Sequence, residues 1–125
     1  MAAEWNKTVE RGDHWVIQFH FTDAAVPPNR LSIAGYEFWY TAKPAIDADA
    51  TDAAAIIKLD PADFTLDSTL GDATIDRMTA LVTEAMTTVV PATYLHDLQV
   101  KVGGRITTYC KGQLVIGGDV TRRAV

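Results

Sequence analysis

The sequence predicts an all-β fold: an antiparallel Ig-like β-sandwich, or partly closed barrel, of about seven strands with one short helical turn. Three observations carry this prediction. Residues 14–22 and 36–43 alternate apolar and polar side chains with a period of two, the signature of half-buried strands. Residues 93–121 read as a strand, a tight Gly103-Gly104 turn, a second strand, and a third short strand over residues 113–116. No helical pattern is long enough to serve as a crossover between parallel strands.

The elements follow in order. Residues 3–11 are short and mixed, and Gly12-Asp13 breaks them. In the first clear strand Trp15, Ile17, Phe19 and Phe21 share one face, and His14, Val16, Gln18 and His20 the other. Pro27-Pro28 then enforces a loop, because proline cannot donate to a ladder, and residues 31–33 form a brief edge strand. Gly35 leads into the second clear strand, with Tyr36, Phe38, Tyr40 and Ala42 on one side and Glu37, Trp39, Thr41 and Lys43 on the other. Pro44 ends it. Residues 45–55, rich in Ala and Asp, make a loop or short helical turn, and residues 56–59 a short strand. Residues 64–71 read as loop with some strand character. Residues 73–82 alternate ambiguously, since both faces carry apolar groups. Residues 83–90 are the best helical candidate, and Pro91 stops them. Tyr94 then opens the hairpin, in the position of a tyrosine corner. A chain of 125 residues makes one domain, with its core over 12–121.

Composition narrows the function. A net charge of −5 argues against a nucleic-acid partner, because phosphate binding needs clustered Lys and Arg. The adjacent pair Arg122-Arg123 stands at the C-terminal tip. With Cys110 the sole cysteine, neither an intrachain disulfide nor a multi-cysteine metal site forms. The first residues lack the apolar stretch of a signal peptide, and no apolar run approaches a membrane span, so a soluble, unexported protein is expected.

No pattern of residues announces chemistry. His14 and His20 lie about 20 Å apart along an extended strand, too far to share an ion. His96 falls on the face of Leu98 and Val100, which suits a hydrogen-bonded core histidine. The aspartates of residues 47–76 read as a solvated acidic region without the glycine and terminal glutamate of a calcium loop. Cys110 has no evident base beside it and reads as a small strand residue. No enzymatic role, cofactor or metal is expected. The features left over are Trp39, a large aromatic on a polar strand face beside Glu37 and Thr41, and Trp5, outside any strong pattern. An uncovered N-terminal segment could also add a strand to a neighbour's sheet.

Several segments together resemble small tailed-bacteriophage virion proteins, in particular the N-terminal domain of baseplate upper proteins and related prophage tail or neck proteins. They are Gly12-Asp-His-Trp-Val-Ile-Gln-Phe19, Gly35-Tyr-Glu-Phe-Trp-Tyr-Thr-Ala-Lys-Pro44, Tyr94-Leu-His-Asp-Leu-Gln-Val100, Gly112-Gln-Leu-Val-Ile116 and Asp119-Val-Thr-Arg122. The likeness spans about Arg11 to Thr121. It implies a non-enzymatic virion component of the tail, neck or baseplate, assembled in the host bacterial cytoplasm. Its partners would be other virion proteins and copies of itself, with no nucleic acid, membrane or small-molecule substrate. The expected interface residues are Trp5, Trp39, Glu37, Thr41, Arg122 and Arg123. The competing expectation is a carbohydrate-binding module for a host surface, using exposed aromatics.

Overall fold

A computed structural model describes residues 3–23, 25–44 and 55–118. Its strands are β1 (Ala3–Glu4), β2 (Lys7–Glu10), β3 (Trp15–His20), β4 (Glu37–Pro44), β5 (Ile57–Leu59), β6 (Phe64–Asp67), β7 (Arg77–Val82), β8 (Ala92–Val102) and β9 (Arg105–Gly117). One helical turn, α1 (Glu84–Thr87), connects β7 to the loop before β8, and a 3-10 turn over Pro61–Asp63 precedes β6. The strands form two separate sheets, a sandwich and not a barrel. The large sheet runs β1-β9-β8-β4-β5, with β2 also on β9, and the small sheet runs β3-β7-β6. That division, with β9, β8, β4 and β5 together and β3, β7 and β6 opposite, is the strand order of an Ig-like sandwich.

The two clearest sequence patterns build the core. In β3 the side chains of Trp15 and Ile17 are buried while Val16 and Gln18 are exposed. In β4, Phe38, Tyr40 and Ala42 are buried and Glu37, Trp39, Thr41 and Lys43 face outward. Between the sheets, Ile17, Met78 and Val82 meet Phe38, Tyr40, Leu98, Leu114 and Ile116, each almost wholly inaccessible to water. Burying an aliphatic or aromatic side chain of this size contributes about 1.5–3 kcal/mol. The ambiguous stretch before α1 resolves in favour of Met78, Ala80 and Val82 as its inner face.

Four expectations need correction. Residues 31–33 are not a strand: one isolated bridge joins Thr22 to Arg30, and Ile33 is instead a buried plug whose N–H donates to the Ile75 carbonyl at 2.7 Å. Residues 64–71, read as loop with some strand character, hold a full strand over residues 64–67, β6, paired with β7 from Phe64↔Ala80 to Asp67↔Arg77. The third strand expected at residues 113–116 does not exist separately. β9 continues through Gly112, which pairs with His96, and a bulge at Leu98/Gln99 leaves Tyr109 as the extra residue. The N-terminal residues are not uncovered either. β1 and β2 run parallel to β9, from Ala3↔Cys110 to Glu10↔Gly117. Residues 45–55 overlap the undescribed segment, so the loop or helix expected there lies almost wholly outside the described residues.

Two polar anchors hold the loops. Tyr94 Oη donates to the Val90 carbonyl, closing the corner ahead of β8 as the sequence suggested. Arg30 reaches across to the loop before β7, donating to Asp76 from Nε at 2.8 Å and to Asp72 from Nη1 at 2.6 Å. Asp76 is buried, and it also accepts from the Thr69 N–H and hydroxyl. The Arg30 guanidinium holds both carboxyls well below the usual carboxylate range. Asp72 and Asp76 are therefore structural partners of one arginine and not part of a freely solvated acidic region.

Candidate functional site: the outer face of the large sheet

The strand period of two sends Glu37, Trp39, Thr41 and Lys43 from β4 to the same face as Leu95, Asp97 and Gln99 from β8. Register fixes their neighbours. Trp39 stands opposite Gln99, Thr41 opposite both Asp97 and Lys58, and Glu37 opposite Lys101. Lys111 of β9 stands beyond Asp97, and Glu4 of β1 beyond Lys111. This face is recessed. A groove of about 730 Å³ opens on it, lined by Trp39 and Thr41 on one side and by Asn6, Lys111 and Gln113 on the other.

The tryptophans separate into two kinds. Trp39 is half-buried in the groove wall, and among the described residues its ring stacks on no other ring. Trp15 and Trp5 belong to the inter-sheet core. Trp5 stacks on His96 with centroids 4.3 Å apart and meets Phe19, Tyr40 and Trp15 edge-on or tilted at 5.3–5.7 Å. The Lys7 ammonium lies 5.6 Å from the Trp15 ring. Trp5, expected at an interface, thus fills an internal slot in this fold. Of the other expected interface residues, Glu37 is exposed and Thr41 is half-buried, both on the groove side, whereas Arg122 and Arg123 lie outside the described residues.

How Trp5 enters the slot was not visible in the pattern of residues 3–11. The chain leaves the β9 ladder between β1 and β2, and the Trp5 carbonyl turns over Gly112. A Cβ on Gly112 would lie 2.0 Å from that oxygen, so only glycine fits. The Asn6 side chain fills the gap in the ladder, accepting from the Gln113 N–H at 2.9 Å. The available signal was Gly112 itself, a glycine within a strand pattern, which marks a close backbone approach.

Under Trp5, His96 is buried and fully bonded. Its Nε2–H donates to the Trp5 carbonyl at 2.7 Å, because a carbonyl only accepts, so the neutral ring presents Nδ1 to the Tyr40 hydroxyl at 2.8 Å. Burial depresses the His96 pKa, raises that of Tyr40 well above normal, and pushes the Cys110 thiol up to about 12. A neutral imidazole, a neutral phenol and a neutral thiol packed between two sheets form a core cluster. Among the described residues no group of three or more His, Cys, Asp or Glu is placed to hold a metal ion, and no helix is long and apolar enough to cross a membrane.

The sequence matches no protein-family model and no curated protein. The functional reading therefore rests on the chain itself. What the outer face offers is contact chemistry: an indole in a groove wall, amides and a hydroxyl around it, and charges of both signs along its rows.

Proposed function

We propose that this chain is a non-enzymatic structural subunit of a tailed-bacteriophage virion, part of the tail, neck or baseplate, which assembles in multiple copies with neighbouring subunits through the outer face of its large sheet. The observation that carries the reading is Trp39. A tryptophan held half-buried in a recessed face of mixed polar and apolar side chains is the kind of anchor that concentrates binding energy at protein interfaces. The sequence likeness to baseplate and neck proteins adds the biological setting. The Ig-like sandwich suits the role, since paired strands β4 and β8 hold Trp39 and its neighbours in fixed register.

Particle incorporation tests this. Virions produced with the wild-type chain should carry it through density-gradient purification, in more than one copy per particle. Trp39→Ala should fold normally, within about 1 kcal/mol of wild type, because the indole faces outward. Its incorporation should nonetheless collapse, since losing an interface anchor costs about 2 kcal/mol or more, near thirtyfold in affinity. Val16→Arg, on the exposed face of the small sheet, should incorporate normally. A wild-type chain absent from purified particles contradicts the proposal.

A second reading draws on the same groove. Its volume of about 730 Å³ is that of a small-ligand site, and Trp39 beside Gln99 offers a stacking face with an amide at its edge, the chemistry that receives a sugar ring. Glycan binding would alter Trp39 fluorescence, and the response would vanish in Trp39→Phe while Trp5 and Trp15 remained.

A further inference from the structure

The segment carrying β1 and β2 is bound to the rest of the molecule as a ligand is bound to a site. Among the described residues it pairs with β9 alone, at the edge of the large sheet, with no other strand on its far side. Its largest apolar side chain, Trp5, plugs a slot made by Trp15, Phe19, Tyr40 and His96, and Val9 is buried in the core as a second anchor. Specific polar contacts fix its register: His96 Nε2 to the Trp5 carbonyl, the Trp5 N–H to the Lys111 carbonyl at 2.9 Å, and the Gln113 N–H to Asn6. Gly112 is shaped to that backbone.

On its C-terminal side the segment joins β3 through one tight turn. The Asp13 N–H donates to the Glu10 carbonyl at 3.1 Å, and Gly12 adopts φ +87° between them. This turn carries the chain from the large sheet to β3 in the small one. Opening it also draws Val9 out of the core and releases the Arg11 N–H from the Gly117 carbonyl, but it leaves the pairing of β9, β8, β4 and β5 and of β3, β7 and β6 intact.

We propose that residues 3–10 exchange between two copies of this chain, each copy's Trp5 entering the other's slot and its β1–β2 segment pairing with the other's β9. The occupant is set by the slot itself: a plug, a backbone path and a register that residues 3–10 meet, and every copy carries that segment. Because the closed and exchanged forms make the same contacts, their balance depends on the turn and on concentration. A segment on a short tether has an effective concentration of about millimolar. Exchange therefore competes when copies are held at comparable local concentration, as in a ring of subunits, and such swapping is a low-cost route to a symmetric pair. The biological occasion for it rests on the assembly reading above, whereas the exchange itself does not.

The test uses the full chain. A 1:1 mixture of isotope-labelled and unlabelled protein is unfolded together, refolded at about millimolar concentration, and its mass measured by light scattering. Isotope-filtered NOE spectra then report whether the Trp5 and His96 rings that touch belong to one chain or two. The expected result is a dimer fraction that rises with concentration, carries intermolecular Trp5–His96 contacts, and is lost in Trp5→Ala. A monomer throughout overturns the proposal, and so does a dimer whose Trp5–His96 contacts stay within each chain. The wild-type measurement decides alone, so poor folding of the variant does not matter. A chain found in virions but never exchanged would overturn this inference and leave the assembly reading standing, and an exchanged dimer absent from virions would do the reverse.

Discussion

Gly112→Val should lower the stability of this protein by about 3 kcal/mol, a drop of roughly 10 °C in melting temperature. The added Cβ would lie 2.0 Å from the Trp5 carbonyl oxygen and 2.6 Å from its carbon, both backbone atoms. No rotamer change relieves that clash. Either β9 shifts within the large sheet, at the cost of about 1–3 kcal/mol typical of overpacking, or the N-terminal segment lifts and Trp5 leaves its slot. Emptying a fully buried tryptophan site costs about 3–5 kcal/mol, an upper bound for a half-buried ring. Gln113→Val, one residue along on the exposed side of β9, should change stability by about 0.5 kcal/mol or less. Urea denaturation of the two variants decides the matter, and a Gly112→Val protein as stable as wild type would mean that Trp5 does not pass over Gly112.

The second large effect is a loss of stability in mild acid that His96 causes. In the folded protein its imidazole is neutral, donates from Nε2 to Trp5 and accepts at Nδ1 from Tyr40, and burial lowers its pKa below the ordinary 6.5. As pH falls below 6.5 the unfolded chain takes up a proton that the folded chain does not, so the equilibrium moves toward unfolding. The loss grows until pH reaches the depressed native pKa. Its slope is at most about 1.4 kcal/mol per pH unit. In a protonated ring Nδ1–H would face the Tyr40 hydroxyl, and that hydroxyl's own proton would lose its acceptor at Nδ1. The other ionisable groups in this cluster are Tyr40 from β4 and Cys110 from β9, and burial holds both neutral. Asp97, the next residue on β8, faces the opposite side of the sheet, where it lines the groove.

His96→Phe should therefore be less stable than wild type at neutral pH, since it leaves the Trp5 carbonyl and the Tyr40 hydroxyl without their partner, at about 1–3 kcal/mol. It should also lose the wild type's dependence on pH below 6.5. A second, separate decline belongs to Asp72 and Asp76. Their pKa values are depressed by Arg30, so the stability they contribute is present above the ordinary carboxylate value of 3.8 and lost as pH falls below it. Equilibrium unfolding of both proteins across this range gives the two windows separately. An unchanged slope in His96→Phe would contradict the neutral, buried histidine.

The sheets were legible where one face of a strand meets the core and the other meets water. β3 and β4 declare themselves through Trp15/Ile17 against Val16/Gln18 and Phe38/Tyr40 against Glu37/Thr41, and the Gly103-Gly104 turn through its two positive φ angles. β7 was obscure because Leu81 and Val16, opposite each other on the outer face of the small sheet, are both apolar and both exposed. Periodicity has no contrast to read there. Trp39 could be placed correctly, since its orientation follows from the strand period alone. Trp5 could not, because its place depends on a carbonyl crossing a glycine more than a hundred residues away in sequence. The Arg30–Asp76 pair was hidden for a related reason: both partners lie in loops, where spacing carries no information about contact.

The surrounding architecture gives the outer face its character. The core beneath Trp39 is rigid and satisfied, and no buried side-chain nitrogen or oxygen among the described residues lacks a hydrogen-bond partner. The β4 and β8 wall of the groove, which carries Trp39, thus stands on a fully hydrogen-bonded core, suited to docking against another subunit.

Oxidative footprinting of Trp39 in the free chain and in purified virions tests that claim most directly. If this face is the docking surface, Trp39 is oxidised readily in the free protein and is strongly protected in the particle, while Met78, buried in both, stays unreactive. Equal reactivity of Trp39 in the two states, with the chain present in the particle, would contradict it.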